Sequence, residues 1–150
     1  MSMGSTSKTL HDTDFVEWSD RMAELLRARR FDELDIENLA EEVESLGIGQ
    51  RRELRSRITN ILEHLLRLEL ISGDLLEQNR RGWRSSISRQ RTEIDVVLED
   101  SPSLSRLVEG LILKCYRTAA LRVEEDYGVT PPKICPFSAE KILGCGAAGN

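Results

Sequence analysis

The sequence predicts an all-α protein, a compact bundle of about five helices closed by a short C-terminal helical turn. Three observations carry that prediction. Apolar residues recur at spacings of three and four in five separate segments, and no convincing strand run interrupts them. Leu, Ala, Glu and Arg outweigh the β-branched and aromatic residues, the aromatics making up 5% of 150 residues. Turn-forming clusters at Gly47-Ile48-Gly49, Ser72-Gly73-Asp74, Ser101-Pro102 and Pro131-Pro132 separate the segments. At this length a single domain is expected over residues 12–143, between a flexible N-terminus, 1–11, and a flexible glycine-rich tail, 144–150.

The first helix is predicted from Thr13 to Arg30 with Asp12 or Thr13 as its cap, its apolar stripe formed by Phe15, Trp18, Met22, Leu25 and Leu26. Arg27, Arg29 and Arg30 suit its last turn, where the helix dipole favours cations. Asp35 caps a second helix that ends before Gly47, with Ile36, Leu39, Ala40, Val43 and Leu46 facing the core. A third helix runs from Gln50 to Leu70 and buries Leu54, Ile58, Ile61, Leu62, Leu65 and Leu68; Glu69 falls in the same stripe. Ser72-Gly73-Asp74 opens a loop before a fourth helix, Arg80 to Leu98, with Trp83, Ile87, Ile94, Val97 and Leu98 inside. Ser101-Pro102 starts a fifth, because proline suits the first helical position, and its stripe is Leu104, Leu107, Val108, Leu111, Cys115 and Ala119. Gly128 stops it, and Ser138 caps one last turn through Leu143.

The composition, 39% hydrophobic and 31% charged, is too apolar for a disordered chain. No run approaches the roughly eighteen apolar residues of a membrane span, and Met1–Asp12 holds no apolar signal core, so a cytoplasmic protein without membrane contact is expected. A net charge of −5 argues against a dedicated nucleic-acid module. The charge is segregated, however. Residues 12–48 hold twelve acids against four arginines, whereas 49–91 hold ten arginines against five acids. With only residues 47–50 between them, the second and third helices should form a hairpin that sets Glu37, Glu41 and Glu44 beside Arg51, Arg52 and Arg55. The arginines would then be largely neutralised, leaving little positive field for a phosphate backbone.

Candidate chemistry is sparse. Glu37, Glu41 and Glu44 lie one turn apart, and with His64 they form a mixed oxygen and nitrogen set that defines the candidate metal ligands. Glu63 and His64 are adjacent, so the Glu-x-x-His pattern of di-iron bundles is absent. The same group, Glu41, Glu44 and His64, supplies the candidate catalytic residues, with His64 as a base only if a carboxylate reaches it. The plainer reading is a solvated acidic face and a packing histidine. Arg80, Arg81, Arg84 and Arg91 around Trp83 are the candidate nucleic-acid contacts, joined by Arg51, Arg52, Arg55 and Arg57. Trp83 is nevertheless in phase with Ile87 and Ile94, as a core residue would be. Cys115 reads as a buried hydrophobe, and Cys135 and Cys145 flank a C-terminal turn. No cofactor-binding motif and no catalytic triad occurs.

Several runs together resemble one family. Asp14-Phe15-Val16-Glu17-Trp18 and the segment from Leu25 to Asp35 are similar to the opening of the bacterial domain-of-unknown-function family number 29. The stretch from Glu37 to Gly47 (ENLAEEVESLG) resembles its most recognisable segment. His64-Leu65-Leu66, Trp83-Arg84-Ser85-Ser86-Ile87, Asp100-Ser101-Pro102-Ser103-Leu104 and Cys135-Pro136-Phe137-Ser138 match in order, so the resemblance covers residues 12–143. It implies a compact all-helical fold found mainly in cyanobacteria and proteobacteria, and it implies no activity. The expectation is therefore a small regulatory or adaptor protein, not an enzyme, that binds another protein through a bundle face. The alternatives are a nucleic-acid accessory protein using residues 49–91 and an enzyme using the Glu/His group.

Overall fold

The computed structural model describes residues 8–144. They form an all-α structure with no strand among them: α1 (Leu10–Thr13), α2 (Phe15–Arg27), α3 (Ile36–Leu70), α4 (Gly73–Asp100), α5 (Val108–Tyr127) and α6 (Ala139–Leu143). Turns of 3-10 helix, Phe31–Glu33 and Pro102–Leu107, precede α3 and α5. The described residues divide into two compact units, one ending at Ile48 and the other beginning at Gly49, each with its own core. Part of the segment expected to be frayed, Leu10 and His11, lies in α1. Residues 1–7 and 145–150, Cys145 among them, lie outside the described residues.

In the first unit Trp18, Met22 and Leu25 are buried on one face of α2, with Leu10, Leu34 and Leu39 packed against them. Phe15 and Leu26, expected in that stripe, are exposed, because three inward positions already fill so small a core. The cap of α2 is Asp14 rather than Asp12 or Thr13; its carboxylate accepts from the Glu17 N–H at 3.0 Å. The helix ends in a Schellman motif: Arg29 is left-handed at φ 57°, its N–H donates to the Leu26 carbonyl, and the Arg30 N–H donates to the Leu25 carbonyl. Asp35 precedes α3 as expected. Its carboxylate accepts from Trp18 Nε1 at 3.1 Å and from Asn38 Nδ2 at 2.8 Å, tying the buried indole to the start of the helix.

The largest departure lies at residues 47–50. No hairpin forms there, and α3 runs unbroken from Ile36 to Leu70. Neither Gly47 nor Gly49 adopts a positive φ. A glycine in an exposed helix costs about 1 kcal/mol relative to alanine, which falls short of the penalty for opening two new helix ends with their unpaired backbone groups. One consequence is immediate. Ile36, Ala40, Val43 and Leu46, expected to face a core, are exposed, and Leu39 alone of that set is partly buried.

In the second unit α3 supplies Leu54, Ile58, Ile61, Leu62, Leu65 and Leu66 to a core shared with α4, α5 and α6. Helix α4 begins at Gly73, ahead of the expected Arg80, because Ile71 and Ser72 alone make the turn and Asp74 then sits favourably in its first turn. Ser101 makes no side-chain cap, since Pro102–Leu107 winds as 3-10 helix before α5 begins at Val108. Leu107 is accordingly exposed. Gly128, left-handed at φ 66°, ends α5 where the sequence placed its stop, and the Ser138 side chain caps α6 by accepting from the Lys141 N–H. Trp83 is buried and meets Tyr127 edge to face at 6.2 Å between ring centres.

Candidate functional site

The Glu/His group does not assemble. Glu37, Glu41 and Glu44 are exposed on α3, and His64 follows Glu41 by roughly six turns of the same helix. No group of three His, Cys, Asp or Glu residues able to hold a metal ion occurs among the described residues. His64 is half-buried against Arg67, whose Nη1 lies 3.3 Å from Nδ1. Burial, reinforced by the Arg67 charge and opposed by Glu63, pushes its pKa below the ordinary histidine value, so the ring is neutral at neutral pH.

A different carboxylate is the buried one. Glu69, flagged by its phase, is exposed although α3 remains helical to Leu70. Glu63 is buried instead; its Oε1 accepts from Arg122 Nη1 at 2.8 Å, and its Oε2 stands 3.6 Å from Arg67 Nη2. Its partner on α5 lies 59 residues away, so no local pattern announced it.

The basic region also differs from expectation. With α3 continuous, the acids and the arginines follow one another along one helix rather than facing across a hairpin. Arg51, Arg52 and Arg55 are exposed and enter none of the ion pairs among the described residues. Their expected neutralisation does not occur. Arg57 is held by Glu53 at 2.8 Å, with Glu93 at 3.6 Å, and Arg80 pairs with Glu77 at 3.3 Å. Arg81 and Arg84 are exposed. Arg91 has a structural task, since its Nε donates to the Ile142 carbonyl at 3.0 Å and its Nη2 to the Lys141 carbonyl, satisfying the C-terminal end of α6. The Trp83 ring is spent on the core and offers no stacking platform. Cys135 is half-buried with its Sγ 3.5 Å from the Phe137 carbonyl; Cys115 is buried, which pushes its thiol pKa up.

The first unit presents the clearest surface feature. Ile36, Val43 and Leu46 are 59%, 60% and 73% exposed, at i, i+7 and i+10 on one side of α3. Glu37, Glu41 and Glu44 flank them. A second feature was missed in the sequence: His11 of α1 bonds Glu42 of α3 at 2.8 Å and packs edge-on to Trp18 at 4.7 Å. Its pKa is raised chiefly by that hydrogen bond, with the Glu42 charge and Asp12 adding to it and burial opposing.

A helical protein with an acid-flanked apolar stripe and open arginines is what these residues define. The family model for the domain of unknown function DUF29 matches residues 10–145, and the chain belongs to that family. No curated protein and no solved structure matches it.

Proposed function

We propose that the chain is a non-enzymatic regulatory or adaptor protein of the bacterial cytoplasm that binds another protein through α3. The observation that carries this reading is the exposed stripe Ile36, Val43 and Leu46. An apolar stripe left in water along one helix face is the kind of surface that docks a partner helix. The flanking Glu37, Glu41 and Glu44 select the partner: a helix with its own apolar seam, bordered by Lys or Arg. They also disfavour self-pairing of this stripe, which would set carboxylates against carboxylates. No helix among the described residues is long and apolar enough to cross a membrane, and free Cys115 and Cys135 suit a reducing compartment.

The test compares proteins captured from lysate by the wild type, by Val43→Glu with Leu46→Glu, and by a control, Arg81→Glu. A partner lost with the first variant, retained with the control, and protecting amides 36–48 from exchange supports the reading. Capture indifferent to Val43 and Leu46 overturns it.

A second reading is favoured by the unpaired arginines of α3. Nucleic-acid binding through Arg51, Arg52, Arg55, Arg81 and Arg84 would show as submicromolar affinity in fluorescence anisotropy, with a steep salt slope. Absence of such a slope, or its persistence when Arg51, Arg52 and Arg55 are replaced by Glu together with Arg81 and Arg84, counts against it.

A further inference from the structure

Within the second unit, α3 and α5 border a cleft of about 290 Å³ lined by Arg52, Arg55, Ser56, Thr59, Thr118 and Arg122. We propose that this cleft binds a phosphate monoester through its terminal phosphate group.

Three of the six lining residues are arginines, and none is an aspartate or glutamate. Four of its residues stand at i, i+3, i+4 and i+7 on α3, and the other two at i and i+4 on α5, so both walls are single helical faces. Like charges gathered in this way repel one another unless an anion joins them. Among the described residues Arg52 and Arg55 form no ion pair, and Glu63 pairs with Arg122 alone of the three.

Arg122 differs from the other two in being anchored. The buried Glu63 carboxylate accepts from one of its nitrogens, Nη1, at 2.8 Å, while the side chain remains 59% exposed. One edge of the guanidinium is thus fixed and its other N–H groups stay open to a ligand. Glu63 is held in turn by Arg67 at 3.6 Å, so the support sits behind the cleft rather than in it. Such a fixed fork suits the oxygens of a phosphate. Ser56 and Thr118 add hydroxyl donors. Thr59 is buried and already donates to the Arg55 carbonyl at 2.9 Å, which makes it part of the wall.

The charge and the size select the ligand class. A phosphate monoester carries nearly two negative charges at neutral pH and three strong acceptor oxygens, a match for the two unpaired arginines, Arg52 and Arg55, with the open edge of Arg122 beside them. A phosphodiester offers a single charge and two free oxygens, and its chain continues in both directions out of a short cleft. The site therefore fits a small phosphorylated molecule better than a polynucleotide. The two helices that border it share one core, to which Ile58 and Leu62 of α3 and Cys115 and Ala119 of α5 contribute.

Isothermal titration with inorganic phosphate, methyl phosphate and dimethyl phosphate tests the assignment. Three proteins are compared: wild type, Arg52→Gln with Arg55→Gln, and Arg51→Gln as a neighbouring surface control. All three substituted arginines are exposed, and circular dichroism verifies that each variant is folded. Saturable binding of phosphate and methyl phosphate at about 1 mM or tighter is expected in the wild type and in Arg51→Gln. A loss of about tenfold or more is expected in the double variant, with dimethyl phosphate bound weakly throughout. No saturation by either dianion overturns the proposal, as does equal binding in the double variant. Dimethyl phosphate binding as tightly as methyl phosphate overturns the monoester assignment and points to a polynucleotide source.

Discussion

Replacing Gly47 and Gly49 with alanine strengthens α3 if the helix runs unbroken from Ile36 to Leu70. Both glycines are exposed, neither has a positive φ, and a Cβ added at either meets nothing within 4 Å. No steric term offsets the change, so the helix-propensity difference of about 1 kcal/mol per site applies in full. The pair should be worth about 1.5–2 kcal/mol, since no lost contact couples the two sites. Urea unfolding followed at 222 nm reads this as an upward midpoint shift of roughly 1 M for a slope near 2 kcal/mol per M. Amides of residues 48–52 should exchange slowly, because their N–H groups are spent on helical bonds. A hairpin would behave oppositely: alanine would strain the turn, the midpoint would fall, and those amides would exchange as exposed loop. Either of those results refutes the continuous helix and restores the charge pairing that it abolishes.

Trp18→Ala should cost about 3–5 kcal/mol in the first unit, whose core holds three buried apolar side chains among the described residues, and loss of exchange protection in α2 reports it. Glu63→Ala should cost about 1–2 kcal/mol in urea unfolding, less than a fully buried pair because Arg122 is largely exposed, and a cycle with Arg122→Ala should show positive coupling. Arg29→Gly should raise stability by up to about 1 kcal/mol, because glycine takes the left-handed φ without a Cβ penalty; a lower thermal midpoint contradicts this. His11 has a folded pKa above its ordinary 6.5, so its bond to Glu42 contributes fully below pH 6.5 and fades as pH rises through the folded value. Trp18 fluorescence in a Trp83→Phe background should report that loss as a single titration above pH 6.5, and His11→Gln should flatten the curve.

Periodicity made the helices legible, and local stop signals made some of their ends legible. Trp18, Met22 and Leu25 share a face because 3.6-residue spacing leaves no other arrangement, and Gly128 ends α5 because a left-handed residue is needed there. What a stripe packs against is not local information. Val43 and Leu46 have the spacing of core residues, yet whether anything covers them depends on the path of the rest of the chain. Gly47 and Gly49 are ambiguous for a related reason, since glycine permits a turn without requiring one. The same limit explains the exchange of Glu69 for Glu63. Phase alone put Glu69 inward, but a carboxylate is buried where a cation reaches it, and the arginine that reaches Glu63 stands on another helix. The cleft between α3 and α5 shares that property: each wall is visible as a helical spacing, and only the fold sets the two walls opposite each other.

Among the described residues the two cores differ sharply in size, three buried side chains against eighteen. Hydrogen exchange should therefore resolve two opening reactions, the first unit opening at a small fraction of the free energy that holds the second. A protein with such a low-cost opening has a local equilibrium that outside molecules can move. Any partner that binds only the closed form of α1 and α2 against α3 protects it by an amount set by its concentration relative to its Kd. Amides in the first unit would slow in proportion, while those in the second would exchange as before. Occupancy of the α3 stripe would thus be written into the opening rate of one small part of the chain, where it can be read without knowing what the occupant is.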